Sequence, residues 1–379
     1  MRVSRRSAVD PFIVMDVMEA ARAAEAAGRS VIHMEVGQPA TPAPLGARQA
    51  VAAALEAGPL GYTVALGLPE LRAGIAALYK RWYGVDLNPE RVIVTTGSSA
   101  AFLLAFTALY DAGEKVGLGA PGYPSYRQIL RALSLEPVEI EAGLETRMQP
   151  APGDVPEGLA GLILASPGNP TGTILDRRAL AQLLDRAGEI GATVVSDEIY
   201  HGLHYGERAV SALELSDDVV VINSFSKYFS MTGWRVGWMV VPESDIRTYE
   251  RLAQNMFICP PHVAQVAALA ALECTDELEA NRAVYAANRE AMLTGLPKAG
   301  ITRFAPPDGA FYVYADVSEH TDSSLTFAQE MLEKTGVAVT PGLDFDPARG
   351  AKWLRLSYAR SEADIAEGLR RFEGFMGQR

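Results

Sequence analysis

Apolar positions recur with two different periods along this chain, and the changes of period mark its elements. Residues 12–27 (Phe12, Ile13, Met15, Val17, Met18, then an alanine-rich continuation) have helical spacing and stop at Gly28. Residues 31–36 read as a short strand, followed by a Gly/Pro-rich loop from Gly37-Gln38-Pro39 to Pro44. Beyond it, helical patterns alternate with β-branched runs at 92–95, 115–118, 137–140, 161–165, 193–197, 219–223 and 235–241. These runs are apolar without alternation. That predicts strands covered on both faces, hence a mainly parallel sheet with right-handed helical crossovers.

From about residue 276 a polar-patterned helix (278–293) leaves this region. Strands follow near 311–315, 337–339 and 354–358, with a closing amphipathic helix from Ser361. The predicted class is α/β, with a large domain at residues 45–280 whose roughly seven-stranded sheet is covered by helices. A smaller α/β domain is built from both chain ends, residues 1–44 and 281–379. The length of 379 residues fits two domains, because single cores stop growing below that size.

Composition narrows the function classes. With 49% hydrophobic and 21% charged residues the chain falls in the soluble globular class. A net charge of −12 argues against a general nucleic-acid surface, though not against a local anion site built from a few cations and helix N-termini. No apolar run approaches the roughly 20 residues that cross a membrane. The start (Arg2, Arg5, Arg6, Asp10-Pro11) lacks the apolar core of a signal peptide. Cys259 and Cys274 have neither metal nor redox spacing and read as thiols of a reducing, cytoplasmic compartment.

Four polar clusters follow predicted strands. The first is Asn223-Ser224-Phe225-Ser226-Lys227, with Arg235 eight residues beyond the lysine. The chain has six lysines, and Lys80, Lys115, Lys298, Lys334 and Lys352 lie in polar surroundings typical of surface. Lys227 alone follows a buried strand with hydroxyls at −1 and −3, a setting that can lower an amine's pKa and make it nucleophilic. By itself a lysine at a strand end is equally compatible with no role. The second cluster, Thr95 to Ala101, passes into an apolar helix, where Ser98, Ser99 and free backbone N–H groups can face a phosphate; a plain serine cap explains the same residues. The third, Asp197-Glu198-Ile199-Tyr200, supplies a carboxylate and a phenol, and the fourth, Ser166-Pro167-Gly168-Asn169-Pro170, a carboxamide among turn formers. In isolation each is loop punctuation. Together they lie at the carboxyl ends of parallel strands, where open α/β sheets bind ligands.

In combination these motifs resemble the class I/II aminotransferases of pyridoxal-5′-phosphate (PLP) fold type I, over nearly the whole chain. The resemblance rests on Ser-Phe-Ser-Lys and Gly-Trp-Arg-Val-Gly, with Ser-Pro-Gly-Asn-Pro-Thr-Gly and Asp-Glu-Ile-Tyr upstream. It implies that Lys227 carries PLP as a Schiff base and that Asp197 pairs with the ring nitrogen. Tyr200 and Asn169 would bond the 3-oxygen, and Ser98, Ser99, Ser224 and Arg235 would hold the phosphate, with Ser226 a further candidate. It further implies that Tyr123 stacks on the ring, Arg355 grips the substrate α-carboxylate and Gly37 lies beside the substrate. Tyr62 would reach the phosphate of a neighbouring subunit, which implies a homodimer with shared sites. The expected reaction is ping-pong transamination between an L-amino acid and a 2-keto acid. Where aspartate-specific relatives carry a lysine in the phosphate turn, this chain has Ser99. With Phe12, Ile13 and Tyr62 as pocket walls, that points to a neutral, apolar or aromatic donor, with 2-oxoglutarate or pyruvate as acceptor.

Other patterns were weighed. Gly117 to Gly122 fits GxGxxG, but Pro121 and Pro124 do not read as opening the helix that a dinucleotide fingerprint needs. His201 and His204 lie near Glu198 without a third metal-ligand pattern, and no metal is expected. Gly97-Ser98-Ser99 lacks the second glycine of a serine nucleophile elbow. The rival functions are a PLP-dependent C–S β-lyase or other amino-acid lyase, and a non-catalytic PLP-binding regulatory domain. The latter would carry a DNA-binding segment, whereas this sequence begins almost directly with the small-domain helix.

Overall fold

The computed structural model describes residues 2–378. Helix α1 (Ile13–Ala26) and strand β1 (Ile32–His33) come first, then helices α2 (Leu45–Ala57) and α3 (Pro69–Tyr83). Seven strands form the largest sheet: β2 (Val92–Thr95), β3 (Lys115–Ala120), β4 (Glu136–Glu141), β5 (Gly161–Ala165), β6 (Thr193–Asp197), β7 (Val220–Ser224) and β8 (Gly237–Val240). Their spatial order is β2-β8-β7-β6-β5-β3-β4. Only β8 runs antiparallel, to both of its neighbours.

The central strands feed two cores. Leu162, Leu164, Val194, Val221 and Trp238 point to one side, while Ile163, Val195, Val220, Ile222 and Met239 point to the other. Two buried faces explain why these runs lack the usual alternation. Helices α4 (Gly97–Leu109), α5 (Pro124–Ala132) and α7 (Ile246–Met256) cover one face. The opposite face is covered by α3, α6 (Arg177–Glu189) and α8 (His262–Ala271).

Helix α9 (Thr275–Lys298) then leads to a smaller α/β region. It holds β9 (Tyr312–Asp316), α10 (Ser324–Thr335), β10 (Val337–Ala338), β11 (Thr340–Pro341), β12 (Trp353–Ser357) and α11 (Glu362–Met376). Ser361 caps α11 by accepting from the Asp364 N–H at 3.1 Å. Strands β11, β12 and β9 form an antiparallel sheet, and β1 pairs in parallel with β10, so both chain ends build the smaller domain.

Several boundaries differ from the sequence reading for definable reasons. The strand expected over residues 31–36 pairs only at Ile32 and His33, because the Glu35 carbonyl is taken by the side chains of Thr340 and Arg355. The strand expected from residue 235 starts at Gly237, since Arg235 has left-handed backbone angles (φ 52°). The 278–293 helix extends at both ends to Thr275 and Lys298. A helix does open after the Gly117 to Gly122 pattern, with Pro124 at its start, a position where a missing N–H costs nothing. The first two glycines of that pattern lie inside β3 and not in the turn. No helix among the described residues is long and apolar enough to cross a membrane.

Candidate active site

Strands β2, β3, β5, β6 and β7 run in one direction, so their carboxyl ends open on one edge of the sheet. Ser98 and Ser99 follow β2, Tyr123 follows β3, Asn169 follows β5, Asp197 ends β6, and Lys227 follows β7. All of them line one cavity of about 230 Å³, with Phe12, Gly37, Tyr200, Arg235 and Arg355. A larger open groove of about 960 Å³ borders it and shares Met15 and Met18, but contains none of the strand-end residues.

Lys227 Nζ donates to the Gly37 carbonyl at 2.6 Å and lies 5.7 Å from the centre of the Tyr200 ring. Burial, then the cations Arg355 and Arg235, bring its pKa down to about 7, against a weaker opposing pull from Asp197. An ordinary lysine is almost wholly protonated at neutral pH, whereas this amine gives up its proton far more readily. Gly37 has no room for a side chain: a Cβ there would lie 1.9 Å from the Tyr312 Oη.

Asp197, 5% exposed, accepts from the Tyr126 hydroxyl and from the Ile199 N–H at 3.0 Å. Burial raises its pKa to about 6, and those two hydrogen bonds with the Lys227 charge hold it from rising further. The Tyr200 and Tyr312 hydroxyls share a hydrogen bond of 2.7 Å. Tyr123 packs edge-on against Phe12 and Tyr126, with ring centres 6.0 and 5.3 Å away.

At the other end α4 presents its N-terminus. Its first turn has no acidic residue and no side-chain cap, so backbone N–H groups remain available. Gly97 (φ 70°) lets the guanidinium of Arg235 lie against this turn, because a Cβ there would be 2.4 Å from Nη2. A helix N-terminus, two hydroxyls and a guanidinium make a cradle suited to a phosphate.

Arg355, on β12, is held from several directions. It donates to the Glu35 carbonyl and, at 3.1 Å, to Asn169 Oδ1, and its guanidinium carbon lies 4.6 and 4.7 Å from the Tyr312 and Phe345 ring centres. Its buried Nε has no hydrogen-bond partner, so the site retains donor capacity for an anion.

Three expected residues do not line this cavity: Ser224, Tyr62 and the wall candidate Ile13, whose neighbours Phe12 and Val14 take that place. Ser224 sits behind the wall, its hydroxyl directed to the Val236 carbonyl at 3.1 Å and 2.9 Å from Ser226 Oγ, and Ser226 takes the lining position. Tyr62 is 84% exposed and outside the lining. Tyr126, Tyr312 and Phe345 escaped the sequence reading, where they were indistinguishable from core aromatics. For Tyr126 a signal existed, since it lies one helical turn beyond Tyr123. His201 uses both ring nitrogens on protein partners, Tyr83 at 2.6 Å and the Ser166 carbonyl at 2.9 Å.

The site therefore combines a buried amine, a buried carboxylate, hydroxyl and carboxamide groups, a helix N-terminus beside a guanidinium, and a second, buried arginine. Known proteins resemble the chain as a whole. The profile of the family "Aminotransferase class I and II" matches residues 29–372. A valine–pyruvate aminotransferase of Mycobacterium tuberculosis is 47% identical over 382 aligned residues, covering 99% of this chain and 98% of the relative. Among solved structures, a candidate aminotransferase from Silicibacter pomeroyi has a TM-score of 0.96 at 65% identity, and an aminotransferase from M. tuberculosis 0.98 at 47%. Both alignments cover the two chains in full. The chain belongs to the class I and II aminotransferases, and it is a PLP-dependent enzyme that transfers an amino group to a keto acid.

Proposed function

We propose that this aminotransferase takes a neutral amino acid with an apolar side chain as donor and a small keto acid, pyruvate, as acceptor. The observation that carries the reading is the charge inventory of the cavity. Among the described residues its cations are Lys227, Arg235 and Arg355, and each already has a task, so none of them is left for a side-chain carboxylate. Ser99 stands in the first turn of α4, and the opposite wall is apolar: Phe12, Val14, Met15, Met18 and Val36. The M. tuberculosis relative, which is named for valine and pyruvate, supports the same class.

The residues fit PLP. The α4 N-terminus, Ser98, Ser99, Ser226 and Arg235 would hold its phosphate, with Ser224 steadying Ser226. Asp197 would meet the ring nitrogen, Tyr123 would pack on the ring, and Tyr200 and Asn169 would face the 3-oxygen. Asn169 is well set for this, since its Oδ1 is occupied by Arg355 and its N–H2 group remains the donor. Bound PLP supplies an electron sink for the carbanion formed at the donor Cα. Arg355 holds the α-carboxylate and Gly37 leaves space beside it. Lys227 Nζ takes the proton from the donor Cα, and in the second half-reaction returns one to the Cα of the new amino acid. Its pKa near 7 keeps both protonation states accessible for that exchange.

Exposed Tyr62 and Val64 lie on a segment tied to that of exposed Ile258 by two hydrogen bonds, His262 to the Gly61 carbonyl and Gln265 to Thr63, both at 3.0 Å. Such apolar exposure supports a homodimer in which Tyr62 completes the partner's site. Two unpaired cysteines support action in a reducing cytoplasm. A donor panel, read from the cofactor absorbance without acceptor, tests the reading: valine, leucine and similar donors react, and aspartate does not. Reaction of aspartate or glutamate alone overturns it.

A further inference from the structure

Helix α1 begins without a cap of its own. Phe12 occupies the cap position and offers no side-chain acceptor. That place is filled from the far end of the chain. Asp344 Oδ1 accepts from the Ile13 N–H at 3.0 Å and Oδ2 from the Val14 N–H at 3.0 Å. Asp344 is 3% exposed, so its carboxylate takes up two of the orphan donors at the helix start almost out of contact with water.

The turn that carries Asp344 also reaches the rest of the site. The next residue, Phe345, lies under the Arg355 guanidinium at 4.7 Å. Its carbonyl accepts from the Gly122 N–H at 3.0 Å, immediately before the stacking residue Tyr123. Arg127 fixes the turn itself, donating to the Asp344 carbonyl at 2.9 Å and the Phe345 carbonyl at 3.3 Å. One short turn thus touches the start of α1, the arginine that takes the α-carboxylate and the segment that packs on the cofactor ring.

We propose that Asp344 is a positioning residue for donor selectivity, holding Phe12, Val14 and Met15 at a fixed distance from the Arg355 grip. The inference rests on the reading of an apolar donor. A donor with a branched side chain, gripped at its carboxylate by Arg355, must meet the α1 wall at the right distance. Alanine is gripped in the same way, but its methyl group does not depend on that wall. Loss of the cap therefore changes the ranking of donors and leaves the chemistry intact. A staple that served folding alone would slow or spare all donors alike.

The test compares wild type with Asp344→Ala and Asp344→Asn. The asparagine variant keeps the shape and one acceptor, and it decides the matter if the alanine variant does not fold. Half-reactions with valine and with alanine are followed by cofactor absorbance, with no acceptor present. The expected result is a loss on the order of tenfold in kcat/KM for valine, the scale of a lost helix cap, carried by KM. Alanine changes less than about twofold, the size of the indirect effects a remote substitution has. PLP affinity, measured by titration of the apoenzyme, stays the same, and hydrogen exchange at Ile13 and Val14 accelerates. Equal losses for valine and alanine, or unchanged exchange at those amides, overturn the proposal. A wild type that ignores valine removes the apolar-donor reading instead, while the exchange result still reports on the cap.

Discussion

The two ends of the active-site cavity are built differently. The polar end is made mainly by the carboxyl ends of buried parallel strands and the start of α4, with Arg355 added from β12, and its groups are fixed by hydrogen bonds that cross the fold. Asp197 is held by Tyr126 and Ile199, Arg355 by Glu35 and Asn169, and Lys227 by Gly37. The apolar end is one face of α1, near the start of the chain and outside the large sheet. Its Met15 is 54% exposed, and its first turn is held by a carboxylate some 330 residues away in sequence. The contrast separates chemistry from selectivity. Strand ends keep the reacting groups in register, and α1 meets them through the contact of Phe12 with Tyr123, so changes in α1 bear first on the donor side chain.

That division predicts effects of different kind as well as size. Lys227→Ala should remove both nucleophile and proton carrier, lowering the half-reaction rate by on the order of 10²- to 10⁴-fold for every donor, as single-turnover absorbance would read. At the apolar end, Phe12→Ala should lower kcat/KM about tenfold or more for valine and leucine, the worth of a few lost apolar contacts, and leave alanine nearly unchanged. A uniform loss across donors would erase the proposed division. Tyr126→Phe should have the smallest effect at its optimum pH. The Tyr126 hydrogen bond lowers the Asp197 pKa, so its loss raises that pKa above about 6 and keeps the carboxyl protonated over a wider range. The acid limb of the rate–pH profile should then move up by about one to two pH units, the worth of one hydrogen bond to a charged group. A limb that stays put, or moves down, contradicts the role given to Tyr126.

How much was legible in the sequence follows the same boundary. The strands of the large sheet were readable because burial on both faces makes their apolar runs continuous, and the chemical residues follow those runs directly. Lys227 stood out because the other five lysines lie in polar stretches. Asp197 and Glu198 show where reading by residue type fails. They are adjacent carboxylates, both buried, but alternation along the chain sends them to different places. Glu198 takes hydrogen bonds from Ala212 N–H at 2.8 Å and Ser211 at 3.1 Å, and burial pushes its pKa up to about 8, away from the cavity. Asp344 was illegible for another reason. Its partners lie at the opposite end of the chain, and no local period or motif encodes a cap supplied from that distance. Tyr312 and Phe345 were hidden by their chemistry, since an aromatic under an arginine has the same sequence signature as one in a core. The strand expected over 31–36 was shortened by side chains that claim its backbone, which a residue pattern does not register.

The proposed chemistry turns on one amine. Apoenzyme loaded with PLP, reduced with borohydride and digested would show by peptide mass spectrometry which lysine carries the cofactor. The expected result is a single modified peptide, containing Lys227, with Lys80, Lys115, Lys298, Lys334 and Lys352 unmodified. Stoichiometric labelling of any of those five, with Lys227 left free, would contradict it.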